Sequence, residues 1–199
     1  MSQTTRTQGK TVVLVNGVPA SGKSTVARLL SEHFALPVLT IDGIKEPFMA
    51  QFDEIDRPFN RRLGCAAYEV IWSIVADSPR QCVFLIDAWF GFQPKASLVR
   101  YLEQAGITRV LEVWNSIPGN LAAARYAQRL DVRRNGHPGE EYLPELLRLA
   151  DSARPMALGP VCTVDQGKPI DSAALVAWLA EALASGDATL TRATKIHGL

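Results

Sequence analysis

The chain has 199 residues, 47% of them hydrophobic and 21% charged, with a formal net charge of +1. That suits one domain with a substantial core rather than two. The balanced charge speaks against a dedicated nucleic-acid surface, and no apolar run approaches the roughly 20 residues of a membrane-spanning helix.

The first ten residues are polar and lack the apolar segment of a secretion signal, so a cytoplasmic protein is expected. An apolar, β-branched run then predicts a first strand over 12–16. It leads into Gly17-Val18-Pro19-Ala20-Ser21-Gly22-Lys23-Ser24-Thr25, which fits the phosphate-binding pattern G-x-x-x-x-G-K-[ST]. A helix is predicted over 23–33, so strand, glycine loop and helix follow in the order this chemistry needs. Gly17 and Gly22 let backbone N–H groups converge on a phosphate, and the helix N-terminus points its positive end at the same anion. Lys23 can reach the β- and γ-phosphates, and the Ser24 hydroxyl can ligate magnesium.

A second strand over 38–41 ends in Asp42. A carboxylate there could take the proton of an attacking hydroxyl, or it could cap a short helix, and one residue can do both. Lys45, one turn on, could orient substrate or simply be solvated, and solvation is the favoured reading. Residues 43–62 read as an irregular acceptor-side segment holding Phe48, Phe52, Phe59, Arg57, Arg61 and Arg62. After a helix over 61–76, the strand 83–87 ends in Asp87, a Walker B pattern that would help hold magnesium. Trp89 follows directly and could line an apolar acceptor pocket; Arg57 could bind a polar one.

Further helices are predicted over 94–105, 118–134, 140–151 and 172–184, and strands over 110–114 and 161–165. Alternating strands and helices of this kind imply an α/β fold, a three-layer sandwich on a five-stranded parallel sheet. On the helix 118–134, Arg125, Arg129 and Arg133 recur at i, i+4 and i+8 and so share a face. Like charges at that spacing disfavour a helix unless an anion lies near. The row therefore reads as a lid over a triphosphate, spanning about 125–142, or else as a solvent-facing helix with Asp131 as local partner. His137, in the turn Asn135-Gly136-His137-Pro138-Gly139, reads as a loop residue rather than a base. The turn with Gly167, Lys168 and Pro169 would line the nucleotide base. It is not the Asn-Lys-x-Asp element that reads guanine, which favours ATP. The three cysteines have no metal or redox spacing and read as buried thiols, and the polar tail 186–199 as frayed.

The phosphate loop, Asp42 after the second strand, Asp87 after the third and the Arg125/Arg129 helix together resemble the P-loop small-molecule kinases, in particular the chloramphenicol phosphotransferase-like group. Motif order and spacing match over about the first two-thirds of the chain. The resemblance implies a five-stranded parallel sheet, magnesium and ATP, and phosphoryl transfer to a hydroxyl, with the carboxylate matching Asp42 as base. The segment after Asp42 and the residues around Trp89 follow no single member. Sugars, polyols, nucleosides and antibiotics all stay open as acceptors, with a monomer or homodimer expected. A nucleoside or nucleotide kinase and a regulatory ATPase with no acceptor are the rival readings.

Overall fold

In a computed structural model, which describes residues 9–134 and 136–185, five parallel strands lie in the order β2-β3-β1-β4-β5. The strands are β1 (Lys10–Asn16), β2 (Val38–Thr40), β3 (Val83–Ala88), β4 (Ile107–Ser116) and β5 (Val161–Asp165). β1 is buried along its whole length because it has a partner on each edge, β3 and β4. The short outer strands β2 and β5 are more exposed.

Successive side chains on a strand point to opposite faces, and β1 uses this to feed two cores. Val12 and Leu14 pack under α3 (Arg57–Asp77) and α4 (Lys95–Gln104), through Tyr68, Ile71, Val75, Leu98 and Leu102. Val13 and Val15 pack on the other face under α1 (Lys23–Phe34) and α7 (Ser172–Ala184), through Val26, Leu30, Leu175 and Leu179. The expected three layers are present. A satellite cluster joins α5 (Gly119–Ala127) to α6 (Leu143–Ser152) around Ala122, Tyr126, Leu146 and Ala150.

Three expectations change. Residues 43–62 are not irregular: α2 (Ile41–Met49) forms directly after β2, and α3 begins at Arg57 rather than Arg61. Pro47 hid α2 from the sequence; it cannot donate to the Gly43 carbonyl one turn back, and the helix ends two residues after it at Met49. The helix expected over 118–134 stops at Ala127, and a single 3-10 turn covers Leu130–Val132. There the chain doubles back, with Arg133 stacked 4.6 Å from the Tyr126 ring centroid and the Tyr126 hydroxyl donating to Pro138 O at 2.8 Å. Repulsion along the arginine row works in the same direction. The cysteines are half-buried rather than buried; burial still pushes the Cys162 thiol up. The tail 186–199 and Asn135 lie outside the described residues.

Lys10, placed by sequence in a polar tail, is buried. Its ammonium donates to Val75 O at 2.7 Å, to Ala76 O and to Ala105 O at 3.2 Å. One cation thus satisfies orphan carbonyls at the C-terminal ends of both α3 and α4, where the helix dipoles favour it. Among the described residues no helix is long and apolar enough to cross a membrane.

Candidate active site

The carboxyl ends of β1, β2 and β3 converge, which is where an open parallel sheet presents its ligands. After β1 the chain turns tightly, with Ser21 N donating to Val18 O at 3.1 Å, and Ala20 and Gly22 both take left-handed backbone angles (φ 62° and 85°). Gly17 sits beneath this turn, where a Cβ would lie 2.4 Å from Ser21 Oγ. Gly22 starts α1 directly, so the N–H groups of Lys23 and Ser24 open the helix as an anion cradle, while Thr25 N donates to Gly22 O at 3.0 Å.

Gly22 is required twice over. Its φ disfavours any side chain, and a Cβ would stand 2.5 Å from Gln166 Oε1. Gly22→Ala should lower stability by roughly 1–3 kcal/mol and weaken nucleotide binding in parallel, measured by thermal unfolding and calorimetry.

Lys23 lines the same cleft as two carboxylates, Asp42 and Asp87. Its ammonium donates to Val18 O at 3.4 Å, and its charge acts on both Asp42 and Asp87. Asp87 lies beside Thr40 in the β2–β3 register and beside Val15 in the β1–β3 register. It is only 5% exposed, and its Oδ1 has no hydrogen-bond partner. Burial raises its pKa above the ordinary carboxylate value, opposed by Lys23 and Ser24 and assisted by Asp42. A buried carboxylate oxygen left without a donor, next to the Ser24 hydroxyl, fits a hard cation held on oxygen ligands.

Asp42 does not cap α2. Thr40 does, its Oγ1 accepting from Gly43 N at 2.7 Å. The two alternatives open for Asp42 therefore separate: its side chain, 56% exposed, is free to face the cleft, with Lys45 Nζ 3.2 Å from Oδ1. Burial of the carboxyl within the cleft opposes its charge, but Lys45, Lys23 and His137 together outweigh this and hold its pKa below the usual carboxylate value. Lys45 is no solvated side chain; the residue is 7% exposed and lines the cleft. Of the two readings open for Lys45, the favoured one fails, because a single lysine in a short, proline-containing segment carries no periodic signal of its burial.

These groups line a cleft of about 840 Å³. Lys23, Ser24, Asp42, Asp87, Trp89, Arg57, Arg129 and Arg133 all face it, as do Pro19 and Ala20 of the loop. Trp89 is half-buried, its ring 6.2 Å from that of Trp114. Arg57 is engaged at the rim, 2.5 Å from Glu145. Asn60, Arg61, His137 and Tyr142 join the lining without having been singled out as acceptor residues, apart from Arg61.

The remaining expected residues lie elsewhere. Because α5 stops at Ala127, Arg125 no longer shares a helix face with Arg129 and Arg133. Its guanidinium donates to Gln166 O at 2.9 Å instead of lining the cleft. Gly167, Lys168 and Pro169 form an exposed turn, closed by Gly167 N donating to Asp165 Oδ1 at 2.9 Å and by a Lys168–Asp165 pair at 3.1 Å. The turn's buried member is Gln166, whose Nε2 donates to Asn115 Oδ1 at 2.8 Å while its Oε1 closes on Gly22. Asn115 Nδ2 donates in turn to Asn16 O at 3.0 Å. A polar chain thus ties β5, β4 and β1 to the phosphate loop. A lone glutamine after a strand gave no warning of it.

No protein family and no curated protein matches this chain. Solved structures do. A protein of Chloroflexus aurantiacus J-10-fl, designated provisionally as a kinase, is 25% identical with a TM-score of 0.74, over 88% of this chain and 98% of that one. A gluconokinase of Sinorhizobium meliloti 1021 is 21% identical with a TM-score of 0.52, over 89% and 97%. The shikimate kinase of Acinetobacter baumannii, solved with shikimate, is 20% identical with a TM-score of 0.51, over 91% and 96%. The chain has the fold of the P-loop small-molecule kinases.

Proposed function

We propose that this chain is an ATP-dependent kinase that transfers the γ-phosphoryl group to a hydroxyl of a small molecule, within or close to the chloramphenicol phosphotransferase-like group. One observation carries the reading: Asp42 and Asp87, both under the charge of Lys23, line with it one cleft at the phosphate loop that has room for a second substrate. A nucleotide switch needs the loop and Asp87. It has no use for a second, ionised carboxylate beside a cleft with room for an acceptor.

The loop amides with Lys23, Ser24 and Thr25 hold the β- and γ-phosphates, and Ser24 and Asp87 hold magnesium. Magnesium, when bound, supplies positive charge to the phosphoryl oxygens. Asp42 accepts a hydrogen bond from the acceptor hydroxyl and turns its lone pair toward the phosphorus. Arg129 and Arg133 face the same space and offset charge on the transferring group. Arg125 holds the turn at Gln166, whose neighbours Gly167, Lys168 and Pro169 supply backbone to the nucleotide base. Trp89 and Arg57 border the acceptor.

ADP release from magnesium-ATP should be measured while sugars, polyols, nucleosides and hydroxylated antibiotics are added singly. Saturable stimulation by one class is expected and would name the acceptor. A low rate that no compound changes would favour a regulatory ATPase.

A further inference from the structure

The stretch that follows α5 lines the cleft through Arg129, Arg133 and His137, and specific contacts dock it on α2 and α3. His137 is buried, its side chain 4% exposed, with Nε2 3.1 Å from Glu46 Oε1 on α2. The other Glu46 oxygen lies 3.5 Å from Arg134 Nε, so one carboxylate grips this stretch at two points. Asn60 on α3 donates to Gly136 O. Gly136 has φ 92°, and a Cβ there would stand 2.7 Å from Ile55, so a side chain would push the stretch off.

We propose that His137 is a positioning residue for the phosphate acceptor, set beside Asp42 by Glu46, so that acceptor transfer depends on this pair and nucleotide binding does not. The inference rests on the kinase reading above.

Asp42, Glu46 and His137 bring one ligating atom each within 4.8 Å of one another. A divalent cation is not what the cluster calls for. Lys45 stands 3.2 Å from Asp42 and Arg134 3.5 Å from Glu46, so cationic charge is already in place. A buried imidazole must instead keep hydrogen-bond partners. With Glu46 accepting from Nε2, the ring is fixed in orientation, as a carboxylate fixes a histidine elsewhere. His137 then closes one side of the space in front of Asp42, while α2 closes another. An acceptor entering that space meets an ionised carboxylate and an imidazole wall held in a single geometry. Among the described residues, no hydrogen bond or ion pair joins Glu46 or His137 to the phosphate loop.

Glu46→Gln keeps the shape and weakens the pair; His137→Ala removes the ring and His137→Gln keeps a side-chain donor. Acceptor kcat/KM should fall at least about tenfold in Glu46→Gln and His137→Ala, the scale of a small misplacement of a reacting group. His137→Gln should recover part of the loss. The Kd of a non-hydrolysable magnesium-ATP analogue should move less than about twofold. Amide hydrogen exchange over 136–142 should rise in Glu46→Gln, whether or not an acceptor is known. Unchanged acceptor kcat/KM, a parallel loss of nucleotide affinity, or unchanged exchange over 136–142 would each overturn the inference. Wild-type protein that no acceptor stimulates would defeat the kinase reading; the exchange experiment would still decide whether Glu46 holds His137.

Discussion

Lys23→Ala should lower acceptor phosphorylation by at least about 10²–10³-fold in kcat/KM, the effect of deleting one preorganised group that stabilises transition-state charge. Two distinct losses combine. The ammonium no longer meets the β- and γ-phosphates, and the carboxylates of Asp42 and Asp87 lose the cation they share. Asp87 is the more sensitive of the two, because burial already pushes its pKa up and Lys23 is the leading force holding it down. Nucleotide affinity should therefore fall with activity, read by calorimetry alongside ADP release. Lys23→Arg would keep the charge but place a planar fork where a compact ammonium fits, and should recover little. Turnover near that of the wild type in Lys23→Ala would remove the phosphate loop from the mechanism.

Asp42→Asn should separate binding from transfer. Thr40, not Asp42, caps α2, so the helix survives the change. Nucleotide affinity should stay within about twofold, while acceptor kcat/KM drops by about 10²-fold, the scale of a misoriented reacting group. A carboxylate held ionised by Lys45, Lys23 and His137 is a weak base, and phosphoryl transfer through a loose transition state asks little of one. Orientation of the hydroxyl is its larger contribution. The pH dependence has a definite sign. The native pKa of Asp42 is depressed, so whatever stability its ionised form confers is present at neutral pH. It is lost only as pH falls below 3.8 toward the lower native value. The stability difference between wild type and Asp42→Asn, followed by denaturant unfolding across pH, should shrink only at that acid end. A small kinetic effect of Asp42→Asn would leave Asp42 as a charged rim to the cleft.

Much of this was written in local pattern. The phosphate loop, Asp42 and Asp87 could be read because each follows an apolar strand, and a parallel sheet brings strand ends together whatever lies between. Strand-to-helix alternation gave the layers for the same reason. What stayed hidden depends on contacts between distant segments. α2 was obscured by Pro47 and by aromatic side chains such as Phe48 and Phe52, which remain exposed. The end of α5 is set by Tyr126 receiving Arg133 and Pro138, which no helical periodicity encodes. Lys45, Glu46 and Gln166 are single polar residues whose meaning is conferred by the partners the fold brings to them. The arginine row shows the converse hazard: a regular spacing is evidence of a shared face only while the helix continues.

The central position of β1 also bears on how the protein is made. Of the five strands this one is synthesised first, yet its two partners begin at Val83 and Ile107. Until residues through Ser116 have emerged, an uninterrupted run of Val12, Val13, Leu14 and Val15 has no complete set of native neighbours. Such a segment is high in β-propensity and without charge, the composition that pairs readily with another nascent copy. Completing the sheet requires closing long loops before the contacts that reward them, so folding should be slow for a chain of this size. Newly made protein is thus most vulnerable to aggregation while its central strand stands alone, and yield in a heterologous host should depend on chaperone supply and on the pace of translation through the first half of the chain.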